Sequence, residues 1–389
     1  MHRIKILTCI FLIAFISLMA AGCWDHRELN ELSIVFGVGL DTSEKPGNIK
    51  MTAEIIKPGE MKGGGASQDV AAKTAPYLNL SSTGTTGFQA IRDFNFSTSR
   101  RLFWANNSVI IFGKDLARKG VAGHLDIFLR DPEIRRTTWI LVADGEAVDI
   151  LNTDPEVENT PAMNINKILD HRYTTSEILG TDLQHFATRL LSKTTAPVTP
   201  IIKAIEDNKI MIPKIIGTAI FKKDKMTGQL NQKETRGLLW VLNEVSSGTI
   251  VVDSPKGSEK VSLEIIRSSS KIIPEIKNGE IFIKIEIEEE ANIADQMTSE
   301  DLTKLELLKI MEKHQSDEIR KEILATLKKA RELNTDIFGF GDAVHRKYPV
   351  LWKKIENNWD DYFPHIQVTF NIEARIRRVG MITKPVIPK

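Results

Sequence analysis

Cysteine is scarce in this chain. Its 389 residues hold two, Cys9 and Cys23, which excludes a disulfide scaffold and a cysteine-rich zinc site. Nor is either charge in excess. Lys and Arg total 52 against 51 Asp and Glu, for a net charge of +1. A general nucleic-acid binder needs a broadly basic surface to displace counterions, and this chain lacks one. The eight histidines never fall four residues apart, the spacing that places two metal ligands on one helix face. HExxH, GxSxG and GxxxxGK followed by Ser or Thr are all missing, so the common metalloprotease, hydrolase and phosphate-loop signatures are absent. What remains is 26% charged and 42% apolar, the balance of a folded globular protein. The length suits two or three domains.

Long apolar runs are also rare, with one exception. Ile6 to Ala21 is sixteen residues without a charge, after a basic start of His2, Arg3 and Lys5. A basic start, an apolar run and small residues before a cut define a secretory signal. The run is short of the about 20 apolar residues a spanning helix needs. It closes on Leu18-Met19-Ala20-Ala21-Gly22-Cys23, which resembles a bacterial lipobox, where the cysteine is acylated and the chain is cut before it. Residues 1–22 are therefore expected to be a lipoprotein signal peptide, with Cys23 as the lipid attachment site. Cleavage would remove Cys9 and acylation would occupy Cys23, leaving no free thiol. Trp24, beside the anchor, suits a membrane interface; packing onto the body is an equal alternative.

Periodicity organises the rest. Ser33–Leu40 reads as a buried strand and Met51–Ile56 as its antiparallel partner. Residues 58–73, with Gly63-Gly64-Gly65, read as a flexible loop. Tyr77–Ser82, Asn107–Phe112 and Arg135–Ala143 read as strands. Gly87–Phe96, Asp115–Arg130 (broken by Gly120 and Gly123) and Ile165–Ser192 read as helical. Thr194–Pro200 looks like a linker or extended arm, and Thr235–Asn243 like a helix or buried strand. Ile281, Ile283, Ile285 and Ile287 alternate with polar residues, as do Ile366 to Ile376, giving two half-buried strands. Between them, 299–333 carries apolar residues at helical spacing. The expected fold class is α+β: three mixed α/β domains, mostly antiparallel sheets with helices packed on them. The expected boundaries are 23–205 (N-terminal α/β), 206–260 (small middle domain) and 261–389 (C-terminal α+β).

Candidate sites weaken on inspection. Gly37-Val38-Gly39 lacks the third glycine and the following helix of a dinucleotide fingerprint. Gly339-Phe340-Gly341 follows a helix and suits a C-cap or turn. His171 and His185 could share a helix face, but about 21 Å apart along its axis. Asp360-Asp361 reads as a surface turn, and Glu286–Glu290 as a solvated strand face. Arg135-Arg136 and Arg377-Arg378 lie in or near strands, where one of each pair points outward. Trp104, Trp139, Trp240, Trp352 and Trp359 suit a core or interface. Catalytic, cofactor and metal residues are all expected to be none.

The sequence around the anchor points further. Gly22-Cys23-Trp24-Asp25-His26-Arg27-Glu28-Leu29, followed by Val38-Gly39-Leu40-Asp41, resembles the opening of the spore germination C-subunit lipoproteins, the Ger(x)C family. The likeness continues through RRLFWANNSVIIFGKDLARKG, LDIFLRDPEIRRT and DGEAVDIL. It returns in DIFGFGDAVHRKYPVLWKKIENNW and IEARIRRVGM. Residues 58–73 and the middle domain match least. The resemblance implies a non-enzymatic subunit of a nutrient germinant receptor with two integral membrane partner subunits. It implies no cofactor, no nucleic acid and attachment to the outer face of the spore inner membrane through acylated (palmitate-bearing) Cys23. Trp24 and Arg27, held near the bilayer, are the candidate partner interface. The alternative is a solute-binding lipoprotein of a membrane transporter.

Overall fold

The structure, a computed structural model, describes residues 2–19, 28–60 and 75–379. Helix α1 (His2–Met19) carries the apolar run, and its Ile4, Leu7 and Phe11 are exposed. Among the described residues no helix is long and apolar enough to cross a membrane.

Short runs rich in Ile and Val build the first sheet, most of them buried on both faces. Strand β1 (Leu32–Thr42) lies antiparallel to β2 (Ile49–Ile56), and β2 antiparallel to β3 (Tyr77–Gly84). Helix α2 (Gly87–Asp93) runs into a tight helical turn at Phe94–Phe96. Strands β4 (Arg101–Phe103) and β5 (Val109–Phe112) are both parallel to β1. Helices α3 (Lys114–Lys119) and α4 (Ala122–Arg130) lead to β6 (Trp139–Ala143), parallel to β5. The expected break at Gly120 is real, at a φ of 133°, but Gly123 continues inside α4. Helices α5 (Ala147–Leu151), α6 (Pro161–Asp170), α7 (Arg172–Thr175) and α8 (Leu183–Leu191) then cross to β7 (Val198–Asp207). Strands β8 (Ile210–Lys222) and β9 (Lys225–Leu230) finish a nine-stranded sheet of order β3-β2-β1-β5-β6-β7-β8-β9, with β4 beside β1. Its middle is apolar on both faces. Ile110 and Phe112 point into one core with Phe94, Phe128 and Phe186; Val109 and Ile111 point into the other with Leu151, Ile165 and Leu169. Strands buried on both sides are what parallel pairing between helical layers requires.

The second sheet is smaller. Helix α9 (Gln232–Leu242) starts in a capping box, with Asn231 and Glu234 bonding reciprocally to each other's backbone. Strands β10 (Gly248–Asp253), β11 (Lys260–Lys277) and β12 (Glu280–Gln296) form an antiparallel meander. Helix α10 (Leu305–Glu332) lies over it, burying Leu307, Met311, Ile319, Ile323 and Leu327 at helical spacing. Helices α11 (Phe340–Lys347), α12 (Pro349–Ile355) and α13 (Trp359–Tyr362) precede β13 (Gln367–Arg378), which joins β12 in parallel. Both sheets are thus mixed, and the α+β class holds. Residues 206–260, expected as a middle domain, form no sheet of their own. β8 and β9 complete the first sheet, while β10 opens the second.

Three local readings change. The 194–200 arm runs into β7: pairing with β6 begins at Ile201, so the N–H that Pro200 lacks precedes it. His171 and His185 lie apart, one between α6 and α7, the other in α8. Glu289 is not on a solvated face; it occupies the inward position of the Ile285, Ile287, Ala291 row and is 1% exposed.

Candidate functional site

Cys23, Trp24 and Arg27 lie outside the described residues. The described chain resumes at Glu28 and turns once through Leu29–Glu31 into β1. Leu32 and Ile34 pair with Arg101 and Phe103 of β4, so both strands start at one edge of the sheet. Strands β5 and β6 run the same way and start nearby, with Gly37, Val109 and Trp139 in register. The described body therefore begins at the N-terminal edge of the parallel strands.

Several residues of the blocks that carried the family likeness, and some outside them, fasten the backbone. Asp41, 2% exposed, accepts the N–H of Ala147 at 2.7 Å and of Val148 at 3.1 Å. That joins the Val38–Asp41 block to the start of α5 in the 144–151 block. Burial, chiefly, raises its pKa, against the pull of those two N–H groups. A side chain at Gly113 would collide with this carboxylate. Gly37 and Gly39 let α5 and α6 approach β1; a Cβ would stand 2.8 Å from that of Ala162 and 3.1 Å from that of Ala147. Glu54 accepts from Ala162 N–H at 3.2 Å, and burial pushes its pKa up to about 7. Asp336 accepts from the N–H groups of Phe338, Gly339, Phe340 and Gly341 at 2.8–3.2 Å and from Trp359 Nε1 at 3.2 Å. Burial nevertheless raises it to about 6. Gly339, at a φ of 78°, is the helix N-cap that lets the loop fold around Asp336, not a C-cap.

The two sheets meet at a second polar cluster. Arg236 of α9 gives a fork to Glu322 of α10, Nε at 2.9 Å and Nη2 at 2.5 Å. Its Nη1 reaches Thr249 carbonyl oxygen at 2.7 Å and, across the seam, Glu177 at 3.0 Å. Trp240 Nε1 donates to Glu322 as well, at 3.0 Å. Burial lowers the Arg236 pKa, but these carboxylates more than offset it. Beside this cluster lies a cavity of about 500 Å³, lined by Trp139, Arg172, Tyr173, Arg189 and Glu244 among others. The Arg172 guanidinium stacks over Trp139 and Tyr173. Burial lowers the Arg189 pKa and raises that of Glu244, the direction of charges incompletely paired.

This chemistry is that of positioning. The buried carboxylates point at N–H groups or cations, and none is paired with a nucleophile and a base. Among the described residues, no group of three or more His, Cys, Asp or Glu is placed to hold a metal ion. Asp360 pairs with Lys222 at 2.9 Å, a surface contact. Arg135 and Arg136 are both exposed, because β6 begins after them. Trp104, Trp240, Trp352 and Trp359 are buried and Trp139 half-buried. Asp41, Glu54, Asp336 and the Arg236–Glu322 pair were missed by sequence reasoning. A lone acid at a strand end or after a helix carries no pattern; only its place inside a quoted block pointed to Asp41 and Asp336.

Comparison with known proteins covers almost the whole body. The model described as "Spore germination protein N-terminal domain" matches residues 25–204, and "Spore germination B3/GerAC like, C-terminal" matches 216–380. The chain is 30% identical to spore germination protein KC of Bacillus subtilis (strain 168), over 94% of each chain. It is 26% identical to spore germination protein B3 of the same organism, over 96% of this chain and 98% of that one. Among solved structures it resembles the crystal structure of the GerBC protein. The TM-score is 0.58 at 19% identity, over 90% of this chain and 99% of that one, a likeness of fold.

Proposed function

The chain belongs to the GerAC-like family of spore germination proteins, and from that premise we propose that it is a non-enzymatic, lipid-anchored subunit of a nutrient germinant receptor. It would assemble with two integral membrane subunits and stand on the outer face of the spore inner membrane. The observation that carries the anchor is Ala20-Ala21-Gly22-Cys23, placed directly after an uncharged run. The exposed apolar side chains of α1, absorbed by no core, support a segment that is removed. The two or three acyl chains of a bacterial lipoprotein would hold far better than one, which binds only marginally.

Intact mass of the protein purified from membranes tests this. Loss of residues 1–22 with a gain of acyl chains is expected, and both should vanish in Cys23→Ala. An unmodified mass, or cleavage elsewhere, would remove the anchor. Trp24 and Arg27 are proposed to touch the membrane partners. Unchanged co-purification of those partners with Trp24→Ala and Arg27→Ala would retire that part. The cavity beside Arg189 and Glu244 favours one second reading, a solute-binding lipoprotein, since its size fits a small ligand. Calorimetry on the mature protein with amino acids and sugars separates the two; micromolar binding would favour the second.

A further inference from the structure

We propose that the open edge of β3 is a self-association surface, on which a second copy of this chain pairs its own β3 in antiparallel register. The proposal goes beyond the receptor-subunit reading and does not depend on the anchor.

At the ends of the two sheets stand β3, β9, β10 and β13, and three of the four are closed. Along β13, Ile376 N–H donates to Glu312 at 3.0 Å, while Ser316 and Arg331 donate to the carbonyl oxygens of Ile372 and Ile366. Along β10, Arg236 donates to the Thr249 carbonyl oxygen, and His314 Nδ1 lies 2.9 Å from that of Asp253. At β9, Val121 N–H donates to the Asp224 carbonyl oxygen and Leu333 packs against Gly228. Strand β3 is different. Lys57 N–H donates to the Pro76 carbonyl oxygen at 2.8 Å, which makes the even-numbered residues of β3 the ones bonded to β2. The N–H and C=O groups of Tyr77, Asn79, Ser81 and Thr83 therefore point outward, and among the described residues they have no partner. Such a row is a template for another strand, and proteins blunt it with lysine, proline or a bulge. Residues 77–84 contain no lysine and no proline, their register with β2 is unbroken, and no charged residue lies between Lys73 and Arg92.

A second β3 matches this edge in length, neutrality and pattern, whereas a charged segment would find no complement on it. With Leu80 opposite Leu80 of the second copy, Tyr77 faces Thr83 and Asn79 faces Ser81, twice each by symmetry. All the outward residues are then used, each facing pair exchanging two hydrogen bonds. The arrangement is an isologous two-fold, the commonest symmetry of a dimer. Leu78, 43% exposed, comes opposite Ser82 of the second copy. Ser82 Oγ donates to the Ala90 carbonyl oxygen of α2 at 2.6 Å, so the exposed leucine gains the other copy's α2 as cover. The helices leave room for this. Each α2 packs over Ser82 and Gly84, so the two lie at opposite ends of the paired strands, about 20 Å apart along them. That exceeds a helix diameter of about 10 Å. The interface is small and the association weak in solution; copies confined to one membrane would pair more readily.

Disulfide cross-linking tests the surface and its register together. The full-length protein is purified from membranes and reconstituted in vesicles of phosphatidylglycerol and phosphatidylethanolamine, with the unsubstituted chain as the blank for Cys9 and Cys23. Leu80→Cys alone should give a linked dimer, because facing Cα atoms of a non-hydrogen-bonded pair lie about 4.5 Å apart, within disulfide range. Asn79→Cys alone and Ser81→Cys alone should not, while a mixture of the two should. Ser81→Pro removes an outward N–H and spares the ladder to β2. It should lower cross-linking of Leu80→Cys at least tenfold, with the far-ultraviolet circular dichroism unchanged. No dimer from Leu80→Cys, or equal dimer from all three single variants, overturns the proposal. So does a dimer that forms only after residues 62–73 are shortened, which would give the edge to that loop. Protection of the β3 amides from exchange only when membrane partner proteins are added would give the edge to them, and overturns it equally.

Discussion

Buried acids carry the residue-scale consequences. Asp336 receives five donors, so Asp336→Ala strands four backbone N–H groups and the Trp359 indole in a closed loop. Each unmet buried donor costs about 1–3 kcal/mol. A loss of at least about 3 kcal/mol in urea unfolding is expected, with the quenching environment of Trp359 changed. Glu289 has the opposite problem. It accepts from Gln315 Nε2, yet its own Oε1 and the Gln315 Oε1 find no donor. Burial pushes its pKa up to about 8, as it pushes Glu54 to about 7. Both lie above the unfolded value near 4.5, so the folded state holds more protons between those limits. Their contribution to stability is whole below about pH 4.5 and is lost as pH rises toward about 8. Glu289→Gln should flatten that slope and stabilise the protein at about pH 8 by more than about 1.4 kcal/mol, the equivalent of one unit. A slope unchanged by the substitution would assign it to other groups. The strand rhythm through Ile281, Ile283, Ile285 and Ile287 already placed Glu289 inward. A run of acids reads as solvated only while its register is ignored.

Elements were legible wherever one face was buried and the other wet. Strands β12 and β13 and helix α10 followed from period two and from helical spacing, because each has one apolar row. Boundaries failed where a backbone device intervened. The Asp182 cap, accepting from His185 N–H at 2.7 Å, starts α8 afresh inside what read as one helical stretch. At Gly37 and Gly39 the reading stopped at what the pair was not. Their work is contact: α5 and α6 lie so close on β1 that a Cβ at Gly37 would force a shift, and one at Gly39 would fit only if its neighbours gave way. Gly37→Val should therefore cost about 1–3 kcal/mol by overpacking, while Gly47→Ala, with open space around it but a φ of 83°, tests backbone strain alone. Thermal denaturation that ranks Gly47→Ala as the more damaging would reverse this account.

At the scale of the whole molecule, the way the chain divides between sheets could not be read from local pattern. α9 and β10 have ordinary amphipathic sequences, and only tertiary packing decides which sheet receives them. That packing leaves no clean gap. Val198, Ile220 and Leu230 of the first sheet share one apolar cluster with Leu238 of α9, Leu263 and Ile285 of the second sheet, and Phe340 of α11. Arg236 ties Glu177 on one side to Glu322 on the other. Domains joined by a small polar interface unfold separately; a shared core makes separate unfolding expose apolar surface on both partners. Urea unfolding should thus give one transition, with tryptophan fluorescence and far-ultraviolet circular dichroism coinciding. Arg236→Ala removes one partner of a buried pair, a loss of about 3–5 kcal/mol, and strikes the seam itself. Its expected signature is a second transition, in which the signal from Trp352 and Trp359 separates from that of Trp104 in the first core. Two transitions already present without the substitution would mean that the shared cluster is too weak to couple the sheets.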